Sequence, residues 1–154
     1  MTAEPVRILV LHGPNLNLLG QREPEIYGTD DLNTINGGLA ALALELGATI
    51  DARQSNHEGQ LVDWLQEART DFDGVLLNAA GYTHTSVAIR DAIAACETPC
   101  VEVHLSNIQA REAFRHTSMI GAVCLAAVQG FGPRSYALGL RGLLDYLRVP
   151  EGNG

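Results

Sequence analysis

The chain has 154 residues, 46% of them hydrophobic and 18% charged, with a formal net charge of −8. That is enough apolar material for one compact domain over residues 1–154, and its charge disfavours phosphate backbones and anionic lipid surfaces as partners. No run approaches the roughly 18 apolar residues of a membrane span, and the first residues have neither the basic start nor the apolar stretch of a secretory leader, so a cytoplasmic protein that contacts neither membrane nor nucleic acid is expected.

Two further features of composition narrow the chemistry. All ten basic residues are arginine. Without lysine there is no amine for Schiff-base catalysis, no P-loop lysine and no lysine of a phosphoryl-transfer receiver. The three cysteines, Cys96, Cys100 and Cys124, form no CxxC pair, which fits packed, reduced thiols better than a disulfide framework or a zinc site.

In chain order, the apolar run 6–11 predicts a first strand. Leu32, Ile35, Leu39, Leu42, Ala43 and Leu46 then recur at helical spacing behind the capping candidates Thr29 and Asp30. Gly37 and Gly38 weaken that helix by roughly 1 kcal/mol each, and close packing is the expected reason for them. Residues 48–55 predict a second strand, with Asn56 capping a helix that buries Leu61, Val62, Leu65 and Ala68 and packs Trp64 near its edge. Residues 75–78 predict a short buried strand, followed by a turn and a helix from about Ser86 with Ile89, Ala92, Ile93 and Cys96 on one face. After Pro99, residues 100–104 and 122–129 predict the fourth and fifth strands. Tyr136, Leu140, Leu143, Leu144 and Leu147 stripe a last helix, and 151–154 read as an unstructured tail.

Strands alternating with helices imply right-handed crossovers and an α/β fold: a five-stranded parallel sheet of flavodoxin-like order 2-1-3-4-5, covered on both faces. In such sheets ligands bind beyond the carboxyl ends of the strands. The polar residues collect there: His12-Gly13-Pro14-Asn15 after the first strand, Asn78 and His84 after the third, Glu102, His104 and Ser106-Asn107 at the fourth.

Several of these groups carry a chemical reading beside a plainer one. The 12–29 connection, with Arg22 and Tyr27, is far longer than the roughly 2–6 residues usual between strand and helix. It reads either as a basic lid that gates an anion and excludes water, or as an insertion with a solvated Arg and a packed Tyr. Glu102 and His104, two apart on one strand face, make an acid and its orienting carboxylate, or a satisfied strand-end histidine. Arg111 and Arg115 fall on one side of a helix if their segment is helical, and either grip substrate oxygens or pair with Glu112. His84 leads into a helix N-terminus that favours an anion. Arg90 and Asp91 read as surface charges, and His12, His57 and His116 as packing, capping or solvent contacts. No metal-ligand spacing is present.

Gly13-Pro14-Asn15-Leu16-Asn17-Leu18-Leu19-Gly20, Arg22-Glu23-Pro24 to Tyr27-Gly28 and Ser55-Asn56-His57-Glu58-Gly59 form one set of motifs. With them go Asn78 to Asp91, Glu102-Val103-His104-Leu105-Ser106-Asn107 and Ala110-Arg111-Glu112 to Phe114-Arg115. Together, in this order and spacing, they resemble the type II dehydroquinases from the first strand to the last helix.

The resemblance implies a cofactor-free hydro-lyase that removes water from 3-dehydroquinate, giving 3-dehydroshikimate through an enolate, in aromatic biosynthesis or in quinate breakdown. It implies Tyr27 as the base, Arg22 as the stabiliser of its phenolate, His104 oriented by Glu102 as the acid, and Asn15 as the stabiliser of the enolate through an ordered water. It further implies substrate contacts from Asn78, His84, Arg115 and the backbone of Leu105 and Ser106, with Asp91 reaching a neighbouring subunit's site in trimers that assemble into a dodecamer. Two positions depart from the family's pattern: Ala80 stands where glycine is frequent and Gln109 where histidine is common. A nucleotide- or anion-binding flavodoxin-like module and a metal-assisted hydrolase are the competing readings. The first would need a phosphate-binding turn after the first strand, the second a ligand cluster; the chain has neither pattern.

Overall fold

Side chains alternate across each strand, and this alternation sorts the core into two layers. The computed structural model describes residues 4–21, 23–27 and 30–149, and of Pro24 and Tyr27 the backbone alone. The expectations for Arg22, the Tyr27 side chain, Thr29 and the 151–154 tail therefore lie outside the described residues. Strands β1 (Val6–His12), β2 (Ala48–Gln54), β3 (Gly74–Asn78), β4 (Cys100–His104) and β5 (Ala126–Gln129) pair in the order β2-β1-β3-β4-β5, and every pairing is parallel.

Helices α2 (Leu32–Glu45) and α5 (Arg134–Arg148) cover one face, where Ile8, Val10, Leu76, Val101 and Val103 meet Ile35, Leu39, Tyr136, Leu140 and Leu143. Helices α3 (Glu58–Asp71) and α4 (Val87–Cys96) cover the other, where Leu9, Leu11, Val75, Leu77 and Cys100 meet Leu61, Leu65, Ile89 and Ile93. A fully buried Leu, Ile or Val contributes about 1.5–3 kcal/mol, so these two layers are the main source of stability. The fold is the flavodoxin-like arrangement expected from the sequence.

The differences are local and each has a cause. The cap of α2 is Asp31, whose Oδ1 accepts from the Thr34 N–H and hydroxyl at 2.8 Å each, so Asp30 does not serve. Nor does Asn56 cap α3: the cap position is His57, while Ser55 Oγ accepts the His57 N–H at 2.9 Å and Asn56 turns toward the loop after β1. The fifth strand starts at Ala126 because Val123 and Cys124 donate their N–H groups to Ile120 and Gly121, closing a 3-10 turn at Gly121–Val123 that takes them out of the ladder. No packing explains Gly37 and Gly38, since a Cβ on either would meet nothing within 4 Å in this chain. The 12–29 connection holds a 3-10 turn (Leu16–Leu18) and a short helix, α1 (Pro24–Tyr27).

Candidate active site

The sheet register lines up the carboxyl ends of the strands. His12 lies between Gln54 on β2 and Asn78 on β3, and His104 lies beside Gln129 on β5. Above this row a pocket is walled by the loop after β1, by the turn after β3 and by the segment after β4. Its lining includes Asn15, Asn78, His84, His104, Leu105, Ser106, Arg111 and Arg115. The walls are held against each other by backbone contacts. Gly13 N–H donates to the Asn78 carbonyl at 2.7 Å, and a Cβ on Gly13 would come within 2.6 Å of the Ala79 carbonyl oxygen, so glycine is required there by close approach. Asn15 takes the left-handed conformation (φ 69°), which asparagine tolerates, and its N–H is fixed by Asn56 Oδ1 at 3.0 Å.

His104 and Glu102 form the pocket's tightest polar pair, with Nε2 and Oε2 2.6 Å apart and both side chains almost fully buried. Ser118 Oγ lies 3.1 and 3.0 Å from the two Glu102 oxygens and accepts the Gly121 N–H at 3.0 Å, so its one proton is directed at the carboxylate. The His84 ring stacks on His104 with centroids 6.4 Å apart, and its Nδ1 donates to the Thr117 carbonyl at 2.8 Å. Burial is the main cause that lowers the His84 pKa, opposed by the bond to the Thr117 carbonyl and supported by the neighbouring His104 and Arg115. A neutral ring donating through Nδ1 offers Nε2 as an acceptor.

Arg115 rests over the Phe114 ring at 5.0 Å and donates to Glu112 at 2.9 Å, a bond that is the first cause of the lowered Glu112 pKa. The segment after β4 is not the helix considered for Arg111 and Arg115. It consists of two 3-10 turns, Ile108–Ala110 and Ala113–Arg115, broken at Arg111 by an extended backbone, yet both arginines reach the pocket wall.

On the α2/α5 side, the floor of the pocket is a buried polar chain. Ala80 N–H donates to Asn78 Oδ1 at 3.0 Å, and Asn78 Nδ2 donates to the Tyr136 hydroxyl at 3.1 Å. Tyr136 and His12 Nδ1 are 2.8 Å apart, as are His12 Nε2 and Asn36 Oδ1. Ala80 has φ 51°, a conformation costing a side-chain-bearing residue roughly 1–2 kcal/mol that glycine would not incur.

Burial drives the His12 pKa from 6.5 to about 4, partly opposed by Asn36. The unfolded chain therefore takes up this proton first as the pH falls. Stability from this group is complete above pH 6.5 and declines toward pH 4, by about 3 kcal/mol in all. Urea unfolding at pH 7 and pH 4.5 is expected to show a steeper acid loss for the parent protein than for His12→Asn; equal slopes would exclude the effect.

Of the residues singled out in the sequence, Asn15, Asn78, His84, His104, Leu105, Ser106 and Arg115 line the pocket, and Glu102 stands behind His104. Asp91, exposed on α4, does not line its own chain's pocket. Ser118 and Asn36 had no signal of their own, Tyr136 had only that of a helix stripe, and His12 had only the plain reading of a packed histidine. Among the described residues no group of three or more His, Cys, Asp or Glu side chains is arranged to hold a metal ion, and no helix is long and apolar enough to cross a membrane. The three cysteines are free thiols, Cys96 and Cys100 being buried.

The family model described as Dehydroquinase class II matches residues 6–144. The chain belongs to the class II dehydroquinases. It is 60% identical over 142 residues to a 3-dehydroquinate dehydratase of Acaryochloris marina, covering 92% of this chain and 95% of that one. It is 58% identical over 145 residues to the protein of that name from a Nostoc species, covering 94% and 99%. Among solved class II dehydroquinase structures, that of the Butyrivibrio crossotus enzyme superposes with a TM-score of 0.89 at 38% identity, covering 92% of this chain and 99% of the other. The Propionibacterium acnes enzyme does so with a TM-score of 0.89 at 40% identity, covering 94% and 99%. The fold and motif order are thus those of a dehydroquinase from end to end of the matched region.

Proposed function

We propose that this chain dehydrates 3-dehydroquinate reversibly to 3-dehydroshikimate, through an enolate and without a Schiff base. The observation that carries the reading is the buried His104–Glu102 pair at the base of the pocket, within a chain that has the family's motifs throughout. Tyr27, as phenolate, takes the proton from the carbon beside the ketone, and the electrons move into an enolate. Asn15 stabilises that oxygen through an ordered water. The enolate then collapses, expelling the hydroxyl, which leaves as water with a proton from His104. Glu102 engages Nε2, so Nδ1 is the nitrogen that delivers this proton, and the carboxylate holds the ring in place for the step.

Arg22 sits five residues before Tyr27 in the sequence and is assigned to the phenolate's charge. Asn78, His84, Arg115 and the backbone of Leu105 and Ser106 are assigned to the substrate carboxylate and ring hydroxyls. The neutral His84, as an acceptor, suits a hydroxyl, and the Arg115 guanidinium suits a carboxylate. Asp91, exposed and outside the lining of its own pocket, is assigned to a neighbouring subunit's site in trimers that build a dodecamer, in the cytoplasm, each subunit being one catalytic domain over 1–154.

The test is the ultraviolet absorbance of the conjugated enone formed from 3-dehydroquinate, with enzyme pretreated in parallel with chelator or with borohydride plus substrate. Signal insensitive to both is expected. Loss of signal after borohydride plus substrate would refute the enolate mechanism without a Schiff base, and a folded protein that gives no signal would return the pocket to a binding role.

A further inference from the structure

The polar chain beneath the pocket has only one consistent direction. Asn78 Oδ1 faces the Ala80 N–H, a backbone donor that cannot be reversed, so the amide must present Nδ2 to Tyr136. The Tyr136 oxygen then accepts, and its own proton has His12 Nδ1 as its partner at 2.8 Å. His12 Nδ1 must be bare, which puts the ring proton on Nε2, where Asn36 Oδ1 accepts it at 2.8 Å. Tyr136 and His12 are fully buried and Asn78 nearly so, where a mismatched donor or acceptor would lose its full desolvation cost. Burial holds the Tyr136 phenol protonated and His12 neutral over the ordinary pH range, so the direction does not change. One Nδ2 proton of Asn78 is used by Tyr136; the other is what the amide offers to the pocket it lines.

We infer that Tyr136, with His12 and Asn36 behind it, is a positioning residue that locks the Asn78 amide with its N–H toward the substrate. The inference rests on the proposed role of Asn78 as a substrate contact. It assigns function to a tyrosine that is otherwise one member of a hydrophobic stripe. It also ties the pocket to α2, the helix that follows Arg22 and Tyr27 in the chain.

Three measurements test it. In 15N-histidine-labelled parent protein, with the His12 signals assigned by their loss in His12→Asn, the ring is expected as the Nε2–H tautomer at pH 7; the Nδ1–H tautomer would overturn the chain's direction. Tyr136→Phe is expected to raise KM about tenfold, the equivalent of one hydrogen bond to substrate, with kcat within about twofold of the parent. Asn78→Ala is expected to raise KM at least as much, and the double variant Tyr136→Phe/Asn78→Ala no further than Asn78→Ala alone, since both act through one amide.

Additive losses in the double variant would reduce Tyr136 to a structural role and overturn the inference while leaving the site assignment intact. An unchanged KM in Asn78→Ala would remove both. Should Tyr136→Phe not fold, Asn36→Leu at its half-buried helix position removes only the terminal acceptor. A rise in KM of about threefold is expected there from a weakened chain, and an unchanged KM counts against it.

Discussion

Replacing His104 with alanine is expected to lower kcat for dehydration by about 10²- to 10⁴-fold, the range that general acid catalysis supplies. The imidazole lines the pocket and has a buried carboxylate, Glu102, at 2.6 Å. Alanine also leaves Glu102 buried with Ser118 as its remaining partner, and stranding half of a buried pair costs up to about 3–5 kcal/mol. Activity must therefore be read beside the folded fraction. His104→Gln separates the two effects, because an amide can still donate to Glu102 but cannot deliver a proton to a leaving hydroxyl. A folded His104→Gln enzyme turning over within tenfold of the parent would displace His104 from the acid role. Proton exchange at the carbon beside the ketone should survive in either variant, since that step belongs to the base.

The second large effect is expected at Tyr27. Tyr27→Phe keeps the ring and removes the ionisable oxygen, so proton exchange and dehydration should fall together, again by about 10²–10⁴. At pH 7 an ordinary tyrosine is only about one part in 10³ phenolate, and each unit of pKa depression corresponds to about 1.4 kcal/mol of preference that a nearby cation can provide. Arg22→Ala should therefore lose activity at pH 7 but regain part of it as the pH approaches the ordinary tyrosine range. Tyr27→Phe should show no such recovery. Identical flat profiles for the two variants would separate Arg22 from the phenolate.

The parts of this molecule that were legible in the sequence are those with a period. The short apolar runs of β1, β3 and β4, alternating along the chain with the helical stripes of α2, α3, α4 and α5, pointed to a parallel sheet covered on both faces and to its order. The i, i+2 spacing of Glu102 and His104 gave their contact, because a strand holds those positions on one face. What was not legible depends on where single hydrogen bonds go. Gly121–Val123 is apolar enough to pass for strand, and only the local bonding of Val123 and Cys124 removes it from the sheet. Asn56 is as good a cap as a bridge, and the fold uses it as a bridge to Asn15. Tyr136 was visible as a buried ring, but periodicity carries no information about its hydroxyl. Ser118 has no pattern at all, being brought to Glu102 by an irregular segment. The length of the 12–29 connection drew attention to Arg22 and Tyr27, but only the family resemblance supplied their roles.

The alternation along the strands has one more outcome. His104 and Glu102 point to the side of the sheet that carries α3 and α4, whereas His12 and Asn78 point to the side that carries α2 and α5. The His104–Glu102 pair and the Asn78–Tyr136–His12 chain are thus rooted in separate hydrophobic layers, with the sheet as the partition between them. Loosening the layer under α5 should be felt first at Asn78, and loosening the layer under α4 first at His104 and at His84, which stacks on it. The sheet lets each layer drift on its own.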